Sequence, residues 1–538
     1  MADKATSTAG KILHNSFWYG LEQVMELIVF LGTSIAVARF FGPSRMGYFS
    51  YINFFVTIVT RTSGSGLAGA TRKYMAEFLA LNRPGAARAV YQLAYRYQVL
   101  AGIAIAALSL VAVLAFGDPD YRGMSVLLIL SIIPGVLSWV PAQANQAFED
   151  VYENTTSAVG YILSYALIIA LTLYFHWGLV GIASAQLIGR TVEVLLRTPP
   201  LHRRLRLIPL ETLERVVILR IRTFCLQAVG IQLLMSIVWD RSELFFLNHF
   251  APLESVGGVL KRNFTQLGFY SVSFTLANNL LVIPRAFGSA TGISLMVESV
   301  RDPTRIDPIL RNACRYLLFV VFPVHLGAAA IAAQALALGY GDKYVAAIPV
   351  VIVASLLSIP RAFQEIAEVL LRAADRQKQI LVWFGITGVL NIALDLYLIP
   401  RYQAVGAAWG NGLAQLFGIV AIWVQARRVH TFSFPLRSGV RLLAAAVVMG
   451  AVSFAVVNQL PFAAYLGHTP AGFAGLVSAV LAAAITYIVG VRLLHGLQPS
   501  DRERLQPIGN RLPGPARLAY LAVLTFITPA AASPSPTA

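Results

Sequence analysis

Charge is what this sequence has least of. Asp, Glu, Lys and Arg make up 12% of its 538 residues, against about 25% in soluble proteins. With 57% hydrophobic residues, that deficit excludes a soluble globular chain. Cysteine is scarce too. Cys225 and Cys314 both fall near cytoplasmic ends of apolar segments, so no disulfide framework is expected. No G-x-x-x-x-G-K-[ST] occurs, so nothing points to an ATPase domain. The eight histidines form no H-x-x-x-H pair and no Cys/His cluster suggests zinc. GSGLAG (64–69) fits G-x-G-x-x-G, but it lies inside an apolar segment rather than between a strand and a soluble helix. Close helix packing is its reading. Acidic residues are outnumbered by basic ones, 25 to 42, for a net charge of +17.

What is present is apolar runs of helix length. Hydropathy predicts about fourteen spans: 17–41, 46–70, 90–116, 121–146, 154–176, 178–197, 223–250, 264–292, 314–338, 345–370, 379–400, 404–426, 438–460 and 467–493. A further piece, 518–530, is too short to span, and the final AAASPSPTA reads as a disordered end. The first segment has no evident cleavage site and reads as a signal-anchor. With the N-terminus inside, 29 of the basic residues fall to cytoplasmic tails and loops, 7 to periplasmic ends and 6 within spans. That asymmetry predicts both termini in the cytoplasm. It also accounts for the basic surplus, so no nucleic-acid partner is expected. The stretch 198–222 is basic and its second half amphipathic, which suits a cytoplasmic linker lying on anionic lipid.

Two halves are visible. VGIASAQ (180–186) aligns with VGAAWGN (405–411) at an offset of 225, which also lays Asp150 on Asp375 and Gly160 on Gly385. MGYFSY (46–51) matches LGFYSV (267–272) at an offset of 221, and RFFGP (39–43) matches NHFAP (248–252) at 209. The shift between those offsets places an insertion around 253–266. The expected architecture is all-α and polytopic, with two six-helix bundles related by a pseudo-two-fold axis along the membrane normal, plus two C-terminal helices. Its parts are an N-terminal lobe (1–197), the linker (198–222), a C-terminal lobe (223–430), helices 13 and 14 (431–493) and a cytoplasmic tail (494–538).

Charge inside spans is the informative signal, because it is costly there. Glu22 and Glu26 share a face of span 1, Arg61 lies in span 2 and Arg96 in span 3. Span 7 carries Asp240, Arg241 and Glu243, and span 8 carries Arg285. Spans 1, 2, 7 and 8 correspond in the two halves, so these charges are expected around a shared wet cavity. Structural salt bridges, such as Glu22 or Glu26 with Arg61, are the competing reading. Arg190 with Glu193, Arg361 with Glu365 and Glu368 with Arg372 read as local ion pairs. Asp240, Asn391, Asp395 and Asn411 are placed at one depth of the C-terminal bundle by span direction. Four oxygen-bearing side chains there suit a hard cation such as sodium, or a proton. An interhelical hydrogen-bond cluster fits the spacing equally well.

RFFGPSRMGYFSY at the end of span 1, WDRSELFFL in span 7 and NIALDLYLIPRYQAVGAAWGN across spans 11 and 12 resemble the Wzx-type polysaccharide flippases. These belong to the multidrug/oligosaccharidyl-lipid/polysaccharide exporter (MOP) superfamily, with the MurJ and MATE families. The resemblance runs through spans 1–12. It implies a non-enzymatic flippase of the bacterial inner membrane that carries undecaprenyl-diphosphate-linked oligosaccharide from the cytoplasmic to the periplasmic leaflet by alternating access. Arg61, Arg241 and Arg285 then become candidates for the diphosphate. Phe17, Trp18 and Tyr19 become candidates for sugar stacking, or for an interfacial aromatic belt. MurJ-like relatives imply a sodium site at Asp240, Asn391 and Asp395, with Asn411 where a Thr is usual. Sodium, protons and membrane potential remain alternative couplings. No other cofactor is implied. Membrane lipids and the polysaccharide polymerase or assembly machinery are the implied partners of a monomer. A MurJ-like lipid II flippase and a MATE-like drug exporter share the fold. A glycan polymerase or ligase would need a large periplasmic loop, and the longest here is about 250–263.

Overall fold

The computed structural model describes residues 2–150, 152–256, 259–374, 376–459, 470–510 and 514–528. For 2–21 and a few positions inside later helices it describes the backbone alone. The side chains of Phe17, Trp18 and Tyr19, together with Asp375 and the AAASPSPTA end, lie outside the described residues.

The chain divides into two compact units, Met1–Gly268 and Phe269–Ala538. The first holds α1 (Ala2–Phe41), α2 (Pro43–Ala80), α3 (Pro84–Phe116), α4 (Arg122–Leu130), α5 (Ile132–Ala147), α6 (Tyr152–Phe175), α7 (Gly178–Arg206), α8 (Arg215–Trp239) and α9 (Glu243–His249). An antiparallel hairpin of β1 (Leu253–Val256) and β2 (Val259–Arg262) follows. α10 (Thr265–Leu280) begins in the first unit and runs into the second. There it is followed by α11 (Val282–Arg301), α12 (Ile306–Ala330), α13 (Ala332–Gly339), α14 (Ile348–Leu357) and α15 (Gln364–Ala373). The long α16 (Gln377–Val429), α17 (Leu436–Gln459), α18 (Pro470–Leu493), α19 (Pro499–Gly509) and α20 (Gly514–Ile527) complete it.

Among the described residues, eleven continuous segments are long and apolar enough to cross a membrane, and a bent pair, 265–288, adds one. Two of the eleven are double. Glu22–Ala80 turns at Gly42, whose φ of 78° is followed by Pro43 at a helix start. Gln377–Val429 turns at Gln403 (φ 48°, ψ −126°). At 1.5 Å per residue that segment would be about 80 Å long as one helix, far beyond a bilayer core of about 30 Å. Counting the double segments as two crossings each gives the fourteen expected from hydropathy.

Prolines break several spans at a fixed distance. A helical proline leaves the carbonyl four residues earlier without its donor. Pro134 does this to Leu130, where α4 ends, and Pro284 to Leu280, where α10 ends in a 42° bend. Pro360 does it to Leu356, one residue before α14 ends.

The stretch 198–222, expected as a linker between lobes, is shared between α7, which continues to Arg206, and α8, which starts at Arg215. α8 packs on α2 within the first unit, which runs to Gly268. The glycines of GSGLAG explain that contact. A Cβ on Gly66 would lie 2.8 Å from the Cys225 carbonyl oxygen, and Gly64 faces Trp139 of α5. Phe224 meets Tyr74 edge-on at 6.1 Å. The motif is therefore a packing device. The insertion around 253–266 is the β-hairpin. Lys261 on β2 pairs with Asp120, and that hydrogen bond and charge push the Lys261 ammonium up from its ordinary pKa.

Candidate functional site: polar groups within the apolar helices

In the N-terminal unit, Arg61 sits on α2 and donates from Nη1 to Asp240 Oδ1 at 3.3 Å. Asp240 is where α8 stops. Its backbone is extended (φ −92°, ψ −155°), and the chain restarts as α9 three residues later. The two side chains keep 46% and 27% of their surface accessible. An ion pair open to that degree, among otherwise apolar helices, requires water around it. Such a pair is worth about 0–1 kcal/mol, so its partners can exchange. Arg61 thus takes Asp240 rather than Glu22 or Glu26. Glu22 accepts a hydrogen bond from Thr155 on α6 at 3.2 Å, and Glu26, one turn on, is exposed. Arg241 lies in the break between α8 and α9, where its carbonyl accepts from the Leu244 amide at 3.1 Å. Glu243, in the first turn of α9, is fully buried.

The local pair expected at Arg190 and Glu193 is present at 2.8 Å, and the structure adds a member that sequence reasoning missed. Arg197, one turn on, reaches the other Glu193 oxygen at 2.7 Å. It also donates to the Ser157 hydroxyl at 2.9 Å and to the Ser138 carbonyl at 3.3 Å. The i,i+4 spacing was there to be read. Arg197 escaped notice because an arginine at a span end is already accounted for by the expected inside-positive bias. Arg96 lines a separate cleft between the start of α3 and the end of α7.

In the C-terminal unit, Asn391 and Asp395 lie one turn apart on the first arm of α16, and both are fully buried. The Asn391 amide donates to Asp395 Oδ2 at 3.2 Å. The second arm of α16 approaches closely because of its small residues. A Cβ on Gly410 would come within 2.7 Å of Asp395 Oδ1. Asn411, the next residue, is buried and lines a cavity of about 20 Å³ with Asn278, Ser358, Arg361 and Gln415. That is room for about one water molecule. Arg285 reaches the same group by donating to Asn278 at 2.7 Å across the bend between α10 and α11. Of the four residues expected to share one oxygen cage, Asp240 therefore belongs to the first unit and the other three to the second. Arg361 stands over the Phe274 ring at 5.9 Å. Glu368 and Arg372 form their expected ion pair. Among the described residues no group of three His, Cys, Asp or Glu side chains could hold a metal ion.

Broken spans, charges within apolar helices and a build that is helical apart from one short hairpin define a multi-pass membrane protein, and its fold is that of the MurJ and MATE transporters of the MOP superfamily. Over 90% of this chain and 99% of the other, the structure is similar to a lipid II flippase MurJ in an inward closed conformation (TM-score 0.67, 12% identity). It is also similar to an inward-facing multidrug resistance MATE transporter (TM-score 0.61, 16% identity, 75% of this chain and 94% of the other). A third likeness is to a MOP superfamily transporter from Pyrococcus furiosus (TM-score 0.55, 16% identity, 78% and 95%). In sequence, the profile of the polysaccharide biosynthesis protein family matches residues 36–349, more than half of the chain, and the protein belongs to that family. It is 27% identical over 252 residues to a probable flippase, AglR, of Haloferax volcanii, covering 45% of this chain. The chain spans about half the length (49%) of that curated relative.

Proposed function

We propose that this protein is a flippase that carries lipid-linked oligosaccharide, with undecaprenyl diphosphate as the carrier, from the cytoplasmic to the periplasmic leaflet of a bacterial inner membrane. The observation that carries the reading is the half-exposed Arg61–Asp240 pair. A weak, wet ion pair within the span region gives a diphosphate something to displace, and a guanidinium fork binds its oxyanions bidentately. Arg241 and Arg285 are the further candidates for that role, with Glu22, Glu26 and Glu243 shaping the polar path. The carrier's chain stays in lipid while diphosphate and sugars pass through the polar interior, and two lobes alternate in access. No covalent bond changes, so the protein acts as a transporter and not as an enzyme. Both termini lie in the cytoplasm in this reading, and a monomer suffices. The polymerase or assembly machinery that consumes the glycan is its partner.

The coupling ion in this reading is Na+ or H+ at Asn391 and Asp395. A buried carboxylate, an amide and the neighbouring Asn411 supply the oxygens a hard cation takes. Asp240 is engaged by Arg61 within the first unit. When bound, the ion supplies a positive charge that holds the two carboxamides and the carboxylate in one arrangement.

A deletion strain tests the reading. Lipid-linked oligosaccharide is expected to accumulate in the inner membrane while the matching surface glycan disappears. Wild type should rescue both, and Arg61→Ala and Asp395→Ala neither. Unchanged glycan pools with intracellular build-up of toxic cations would instead establish a drug exporter.

A further inference from the structure

The cleft that holds Arg96 is chemically unlike the rest of the molecule. It has a volume of about 270 Å³ and is walled by Arg88, Arg96, Arg206, His202, Tyr91 and Tyr95. No carboxylate lines it. Among the described residues, none of its three arginines is in an ion pair, whereas Arg190, Arg197 and Arg204 on α7 and Arg220 on α8 each have an acidic partner.

The walls are fixed before any ligand arrives. Tyr91 hydroxyl and His202 Nε2 are 2.8 Å apart, and Tyr91 and Tyr95 stack at 5.6 Å and 12°. His202 meets Tyr95 edge-on at 5.3 Å. Arg88 is tied to the end of α7 by donating to the Ile208 carbonyl. Its Nε is buried and has no hydrogen-bond partner in the protein. Three guanidinium groups, one with an unused buried donor, thus surround a space with no counter-charge.

Depth says what can reach it. α3 has 33 residues, about 50 Å of helix, of which a bilayer core of about 30 Å takes some 20. The remaining residues, about thirteen at the start of α3 and including Arg88 to Arg96, therefore stand at the cytoplasmic interface, and α7 ends beside them. Lipid phosphates occupy that layer, and basic pockets between helices on this side suit anionic headgroups.

We infer that this cleft binds the phosphate of an anionic phospholipid in the cytoplasmic leaflet, clamped by Arg88, Arg96 and Arg206. The site is separate from the translocation path and does not depend on the flippase reading.

Native mass spectrometry of the full-length protein in detergent tests this, with phosphatidylglycerol, phosphatidylcholine or undecaprenyl diphosphate added. Wild type should retain phosphatidylglycerol over phosphatidylcholine. Arg96→Gln/Arg206→Gln, which leaves the Arg88 tie to α7 in place, should lower phosphatidylglycerol occupancy about tenfold or more, since each interfacial arginine is worth about 1 kcal/mol. Arg96→Lys/Arg206→Lys should restore most of it. Arg203→Gln/Arg376→Gln removes the same charge from exposed positions elsewhere and should change little. Equal losses in the two Gln double variants, or no preference of wild type for phosphatidylglycerol, would overturn the site. Tighter, cleft-dependent binding of undecaprenyl diphosphate would overturn the phospholipid and assign the cleft to the carrier.

Discussion

Glu193 and Asp395 are two carboxylates buried in apolar helices, one in each unit, and they are treated differently. Glu193 lies between two guanidinium groups at 2.8 and 2.7 Å on its own helix. One of these, Arg197, is tied in turn to α5 and α6. Asp395 takes its hydrogen bond from the neutral amide of Asn391, with the backbone of Gly410 pressed against its other oxygen. A carboxylate clasped by permanent cations is structure. A carboxylate that accepts from a neutral amide is, in our reading, the one that can change its state. The same residue chemistry therefore serves stability in one unit and, in our reading, transport in the other.

The sharpest way to break this comparison is Arg197→Ala. It leaves Glu193 buried with half of its neutralising charge removed, and should cost about 3–5 kcal/mol, seen as loss of folded protein in detergent. Glu193→Gln/Arg197→Gln should recover part of that loss, because no buried carboxylate is left short of charge, while Arg190 is partly exposed and keeps the Tyr161 ring. Asp395→Asn should do the reverse. Stability in detergent should stay within about 1 kcal/mol of wild type, since the amide keeps the shape and hydrogen-bonding capacity, while surface-glycan rescue falls at least about tenfold. Should Asp395→Asn unfold the protein as Arg197→Ala does, both carboxylates are structural and the contrast fails.

A smaller test uses the repeat itself. The offset of 225 that aligns VGIASAQ with VGAAWGN lays Gly178 on Gln403. Both are left-handed in φ, at 69° and 48°, where the chain turns back between two spans. Glycine adopts this conformation freely, and glutamine is strained there by about 1–3 kcal/mol. Gln403→Gly should raise stability by about 1 kcal/mol, and Gly178→Gln should lower it by a similar amount, both read from thermal midpoints in detergent. The least effect is expected from Lys261→Ala in the hairpin, a thermal midpoint indistinguishable from wild type, because its pair with Asp120 is exposed.

Much of this was legible in the sequence, for a physical reason. Lipid forces each span to be apolar for about 20 residues, so hydropathy reads the crossings directly. The insertion around 253–266 was legible as well, though not its hairpin form, because two repeat offsets, 221 and 209, differed across it. Asn391 and Asp395 could be paired from their four-residue spacing alone. Long-range choices could not be read. Nothing local says that α8 packs on α2 through Gly66, or that Arg61 prefers Asp240 to Glu26. The cleft at Arg88, Arg96 and Arg206 was hidden because the inside-positive expectation already accounts for arginines at span ends.

One contact ties the last part of the chain to its middle. Arg315 on α12, with none of its surface exposed, pairs with Asp501 at the start of α19, and the Tyr316 hydroxyl joins at 2.8 Å. The partners are 186 residues apart. A ribosome adding about 5–20 residues per second needs roughly 10–40 s to cover that distance. For that time Arg315 is a cation at the membrane face awaiting a carboxylate not yet made. A nascent chain that stops short of residue 501 leaves this guanidinium without its carboxylate, with the neutral Asn312 as a side-chain partner.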